Sequence, residues 1–239
     1  MKLYAYCLCA DLDSFDVSIP GVSGAAVRML KIGDVSVPVS DCESVPATRE
    51  NVLAHAAVVR SVFARTTTVP FRFGTLSTEQ QLQSFVTNNK VAIANKLEHL
   101  RDCVEMDLKT RWQSSGAAEP TQQDPPAGPG TAFLMAKRRE LLGDERTAAQ
   151  RAALSVLFRT EFGSLIRDET IILQPEKAEK AKKAKVFHLV QALKIEEYRE
   201  RVQKLREKRP ELELEVSGPW PPYSFANIEL ELPLHFGVS

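Results

Sequence analysis

Apolar and polar positions along the chain repeat with two different periods, and the places where the period changes outline the fold. Residues 2–9, KLYAYCLC, are dense in aromatic and apolar side chains and read as a strand. Residues 25–32 and 35–39 read as two further strands about Gly33-Asp34, a pair suited to a hairpin turn. Over 47–65 the period lengthens. Val52, Ala56, Val59 and Phe63 recur at the spacing of one helix face, and Pro46 sits near the start, where a missing N–H is harmless. The β-branched run and Pro70 in TTTVPFRFGTLS, 66–77, exclude helix. A second helix is predicted from Ser77, where Ser77 and Gln80 match a capping box, with Leu82, Phe85, Ile93, Leu97 and Leu100 as its apolar stripe. Residues 103–109 alternate as a closing strand. The order β-β-β-α-α-β describes an α+β unit with its helices on one sheet face.

Residues 112–131 interrupt this pattern. They hold four of the chain's 14 prolines and three of its 11 glycines, a composition that buries too little apolar surface to offset the entropy of ordering it. The expectation is a first domain over 1–111, a Pro/Gly-rich linker or loop over 112–131, and a second α+β domain over 132–239. The second domain opens with a helical stretch, 132–166, striped by Leu134, Leu141, Ala148, Ala152, Val156, Phe162 and Ile166, with Gly143 expected to split it. A strand follows at 169–173, then a solvated, weakly helical basic segment, PEKAEKAKKAK. Residues 185–193, apolar on both faces, read as an interior strand. An amphipathic helix spans 194–208, with Ile195, Tyr198, Val202 and Leu205 inward, and Pro210 stops it. Residues 211–216 alternate with Leu212, Leu214 and Val216 inward. Strand, helix and strand at this spacing predict a βαβ unit with parallel strands.

Charge first looks uninformative. The 239 residues carry 31 Lys+Arg and 31 Asp+Glu, which argues against a nucleic-acid binder. Locally the balance breaks: 176–209 hold 12 basic and 6 acidic side chains, and 210–239 hold 5 acidic and none basic. No apolar run is long enough to span a bilayer, and the N-terminus lacks a signal-peptide pattern. Cys7, Cys9, Cys42 and Cys103 form no ligand-like set, which fits a reduced, cytoplasmic compartment.

No recognised catalytic motif is present: no GxSxG, P-loop, GxGxxG or HExxH. His55, His99, His188 and His235 are scattered, so neither catalytic residues, nor a metal site, nor a cofactor is expected. The lysine run Lys177, Lys180, Lys182, Lys183 and Lys185 reads as a soluble coat or as a site for phosphate or an acidic surface. Two segments stand apart. Pro70, Phe71, Arg72, Phe73 and Gly74 set an arginine between two aromatics in a constrained turn. Arg72 either fixes the loop or is left for a carboxylate, a carbonyl or a ring face. Gly218, Pro219, Trp220, Pro221, Pro222, Tyr223 and Phe225 crowd three prolines and three aromatics into GPWPPYSF. That run either serves as a polyproline ligand for an aromatic-lined groove or clamps back onto its own domain.

The same two segments carry a resemblance. TVPFRFGT followed by a helix resembles the first signature of the gas vesicle protein F/L family (GvpF/GvpL). GPWPPYSF resembles the second, and the YAYC strand, the His55 helix and the VFHLV strand stand in the same order. Val69 and Phe71 replace the more usual leucines. The resemblance implies two α+β domains, the N-terminal one modified ferredoxin-like and the C-terminal one a helical segment plus a βαβ sheet unit. It implies a non-enzymatic accessory or minor structural protein in the cytoplasm. Its expected partners are the hydrophobic gas vesicle shell protein and other accessory proteins, with no nucleic acid and no membrane span. The alternatives are a small-ligand or catalytic ferredoxin-like protein using Arg72 and Tyr223, and a regulatory adaptor using the proline-rich run.

Overall fold

A computed structural model describes residues 2–10, 19–113, 129–174 and 181–228. Mixed helix and strand form two sheets. Contacts group the chain into two units. The first runs to Glu105 and regains Gln191–Leu193 and the chain from Gly218 onward; the second holds Met106–Val190 and Lys194–Ser217.

In the first unit, β1 (Leu3–Ala5), β2 (Cys7–Ala10), β3 (Arg28–Ile32), β4 (Val35–Asp41), α1 (Arg49–Phe63), β5 (Thr68–Pro70), β6 (Leu76–Ser77), α2 (Glu79–Asn88) and α3 (Lys90–Leu100) follow one another. The sheet order is β5-β2-β4-β1-β6, with β3 also on β4. The single strand expected at 2–9 is broken at Tyr6. Its amide donates to the Pro38 carbonyl at 3.1 Å, but Pro38 has no N–H to return, so the ladder is interrupted there. The β3–β4 hairpin turns at Gly33, whose φ of 61° suits glycine.

Two helix details differ from the sequence pattern. Thr78, not Ser77, caps α2: its Oγ1 accepts from the Gln81 amide at 3.2 Å while Gln81 Oε1 accepts from the Thr78 amide at 2.9 Å. The 77–100 helix is two helices, parted at Asn89, whose Nδ2 donates to the Phe85 carbonyl at 2.8 Å. Leu82, Phe85, Ile93 and Leu100 are buried as predicted, with Leu97 half-buried. In α1 the buried face is Asn51, His55, Val58, Val59 and Val62, and Val52 is exposed.

The second unit corrects more. Residues 103–109 do not close the first sheet. They begin β7 (Cys103–Gln113), which with α4 (Pro129–Phe162), β8 (Ile166–Gln174), β9 (Ala181–Gln191), α5 (Ile195–Lys208) and β10 (Leu212–Trp220) builds a second sheet in the order β10-β7-β9-β8. This β-α-β-β-α-β succession is the ferredoxin-like one, so that pattern falls here and not at the N-terminus. β7 lies between β9 and β10, making the expected βαβ a split one. Residues 114–128 of the expected linker lie outside the described residues; its ends belong to β7 and α4. Helix α4 is continuous through Gly143. It buries Leu154, Phe158 and Phe162, whereas Ala148, Ala152 and Val156 are exposed. Leu134 and Leu141 are not among the described side chains. From Ala181 the lysine-rich segment is strand, not weak helix, with Lys183 opposite Gln174; Lys177 and Lys180 lie outside the described residues. On α5 and β10 the predicted inward residues Tyr198, Val202, Leu205, Leu212 and Leu214 are buried; Ile195 and Val216 are half-buried.

Candidate functional site

The first motif begins as an edge strand. Pro70 pairs opposite Cys7 at the end of the sheet path, where a strand tolerates the missing donor. The chain then turns back to pair β6 with β1. Arg72 holds this turn with its carbonyl, which accepts from Thr75 Oγ1 at 2.7 Å and from the Thr75 amide at 3.3 Å. Its guanidinium is exposed and forms no ion pair with any described residue. Gly74 adopts φ 92°. A Cβ there would meet nothing within 4 Å, so backbone conformation, not space, selects glycine. Phe71 is buried with its ring 6.5 Å from Phe85, and Phe73 is half-buried.

The second motif leaves β10 through a cis Gly218–Pro219 bond, with Gly218 at φ 120°. Pro221, Pro222 and Phe225 are buried, while Trp220 and Tyr223 each remain 38% exposed. A one-turn 3-10 helix, Tyr223–Phe225, is fastened by Glu105, whose carboxylate accepts from the Ser224 amide at 2.7 Å and from Ser224 Oγ at 3.1 Å. The Arg60 guanidinium lies 5.6 Å from the Trp220 ring centroid, within cation–π range.

His55 connects the two motifs. Its ring is 6.0 Å from Phe73 and 6.4 Å from Tyr223, and 5.7 Å from both Tyr4 and Tyr6. The Gly74 amide donates to Tyr4 Oη at 3.1 Å, so the Tyr4 proton goes to His55 Nδ1 at 2.9 Å. This network assigns the ring proton to Nε2, which has no partner in hydrogen-bonding geometry among the described residues. Burial pushes His55 down to about 4, opposed in part by the Phe71 carbonyl. Burial likewise raises Tyr4, against the Gly74 amide, and raises Tyr223. Tyr6 Oη accepts from the Val22 amide and bonds Ser40 Oγ, each at 2.9 Å. That packing requires Gly21, where a Cβ would run into Tyr6 Oη and stand 2.7 Å from Ser40 Oγ.

Sequence reasoning found both motifs but not His55 as their junction, nor Glu105 as the fastener. The two-residue spacing of Tyr4 and Tyr6, which puts both rings on one face of the strand, was the available signal. At neutral pH the His55–Tyr4 pair is uncharged, and among the described residues no carboxylate bonds to it. Among the described residues no group of metal ligands assembles. Cys7, Cys9 and Cys103 are buried thiols, and burial raises Cys7. In the second unit a cavity of about 440 Å³ is lined by Lys109, Arg111, Lys183, Lys185, Glu213 and Glu215. Lys109 pairs with Glu215 at 3.2 Å and Arg111 with Glu213 at 4.0 Å, and the four cations against two carboxylates leave the lining net positive.

The fold is that of known gas vesicle proteins. It resembles the crystal structure of GvpF from Anabaena sp. PCC7120 (TM-score 0.70, 17% identity, 98% of this chain and 99% of that one). It equally resembles GvpF from Microcystis aeruginosa (TM-score 0.71, 16% identity, 95% and 99%). In sequence, the gas vesicle synthesis protein GvpL/GvpF family model matches residues 2–227, and the chain belongs to that family. It is 27% identical to gas vesicle protein F of Streptomyces sp. (strain CB03234), covering 83% of this chain and 87% of the relative. With gas vesicle protein L of the same strain it shares 26%, covering 91% of each. Family membership gives the chain a role in gas vesicle formation. No helix among the described residues is long and apolar enough to cross a membrane.

Proposed function

We propose that this protein is an accessory or minor structural component that assists assembly of the gas vesicle shell. It does so by binding the hydrophobic shell protein and other accessory proteins in the cytoplasm, without catalysing a reaction. The family match over 2–227, which includes both motifs, carries this reading. The geometry supports it: Trp220 and Tyr223 are presented half-exposed on a base made rigid by Glu105, Phe225 and the His55 cluster. Rigid, partly exposed aromatics are the side chains that anchor protein–protein contacts. The test is co-expression with the shell subunit. Retention of shell subunit in solution on the purified protein is expected, and a shell subunit that aggregates equally with and without it contradicts the proposal.

A further inference from the structure

Helix α1 departs from the pattern of a surface helix, which turns apolar residues inward and charged ones outward. α5 obeys that pattern: Tyr198, Val202 and Leu205 are buried, while Glu196, Glu197, Arg199 and Glu200 face water. α1 also buries one face, yet from Val52 to Val59 it carries no acidic or basic chain apart from the buried His55. Val52 is 44% exposed, Leu53 is 58% exposed, and Ala57 is exposed beside them. The outward stripe ends at Arg60. Seven residues is close to two turns, so Leu53 and Arg60 share a side of the helix, about 10 Å apart along its axis.

Arg60 gives the stripe a direction. Its guanidinium lies 5.6 Å from the Trp220 centroid and has no ion pair among the described residues. An apolar stripe accepts any apolar surface. The Leu53 end carries Arg49 and Glu50, both exposed and opposite in charge, so the net charge lies at the Arg60 end and favours a partner with a carboxylate there. Ala57, between the two ends, is small enough to let a second helix approach to about 8 Å.

We propose that the Val52–Arg60 face of α1, with Trp220, docks a helix of a partner protein. The partner rests an apolar side chain on Leu53 and places a carboxylate against Arg60, two turns along. Only the identification of that partner as a gas vesicle component rests on the assembly reading; the face itself stands on the exposure and charge pattern of α1.

The test uses the full chain carrying Trp112→Phe, so that Trp220 is the one tryptophan left to report. The probes are two synthetic amphipathic helical peptides with identical apolar faces, one with Glu and one with Lys seven residues from a leucine anchor. The Glu peptide is expected to shift Trp220 fluorescence and to bind about tenfold more tightly than the Lys peptide. Arg60→Glu reverses that preference. Leu53→Asp weakens both peptides by about tenfold or more. Val91→Asp, at a position on α3 that is 74% exposed, leaves binding unchanged. All three positions are exposed, and circular dichroism with a thermal melt verifies that each variant is folded. Equal binding of the two peptides, no binding of either, or an equal loss from Val91→Asp overturns the proposal. A parallel arm scores vesicles in cells. Normal vesicles with Leu53→Asp, but none when the gene is deleted, overturn the docking face and leave the assembly reading intact. Vesicles formed without the gene overturn the assembly reading, and the peptide result alone then decides the face.

Discussion

Each unit of the molecule buries a histidine against a tyrosine, and the two pairs differ in what stands on the far side of the ring. In the first, His55 Nδ1 meets Tyr4 Oη at 2.9 Å, and Nε2 has no hydrogen-bond partner among the described residues. In the second, His188 Nδ1 meets Tyr198 Oη at 2.8 Å while Nε2 meets Glu169 Oε2 at 3.2 Å. Glu169, with a side chain only 3% exposed, also accepts from Ser155 Oγ at 2.6 Å and lies 3.5 Å from Arg159. Burial alone would raise Glu169, but the bonds from His188 and Ser155 outweigh it and hold the group below its ordinary value. His188 is pushed down by burial, against the pull of Glu169. The second network is closed and joins α4, β8, β9 and α5, as befits a structural fastener. The first is left open inside an aromatic cage that supports the two family motifs. The same pair thus closes a core network in one unit and packs beneath the two motifs in the other.

The largest expected effect follows from breaking the closed network. Glu169→Ala leaves His188 Nε2 and Ser155 unpartnered in the core and is expected to cost about 2–5 kcal/mol in denaturant unfolding. A loss below about 1 kcal/mol contradicts the role given to Glu169. The next effect is a pH dependence. His55 titrates near 4 when folded and near 6.5 when unfolded, so between those values the unfolded state binds the extra proton. Its contribution, up to about 3 kcal/mol, is present above pH 6.5 and is lost as pH falls toward 4. His55→Gln is expected to flatten the stability profile over that window, and an unchanged slope sinks the assignment. Tyr4→Phe removes the acceptor of the Gly74 amide and the donor to His55. A loss of about 1–2 kcal/mol is expected, smaller than that of Glu169→Ala; the reverse order breaks the comparison. Gly74→Ala strains a turn at positive φ and is expected to cost about 1 kcal/mol, seen as a lower thermal midpoint.

Local signals in the sequence located the elements well, and long-range partners were not legible. Gly33-Asp34 announced its hairpin, and the alternation of 211–216 announced β10. The capping box slipped by one residue because Ser77-Thr78-Glu79-Gln80-Gln81 contains two overlapping matches, and only backbone geometry chooses between them. The α1 stripe slipped for a more telling reason: a helix apolar on several sides gives no unique inward face, and the residues that blurred the reading are those left exposed. Pro38 broke a strand from its position on another one. β7 joined the second sheet because strands far along the chain pair with it. Glu105 fastens Ser224 across 119 residues, a distance at which no sequence pattern operates. Both motifs were legible as motifs, but the histidine between them was not.

The role proposed for this chain is in building the vesicle shell. Its most direct test is electron microscopy of cells carrying a complete gas vesicle gene set, compared with cells lacking only this gene. Loss of vesicles, restored when the intact chain is supplied from a plasmid, is the predicted result. Vesicles of normal number and shape in the deletion strain would contradict the claim.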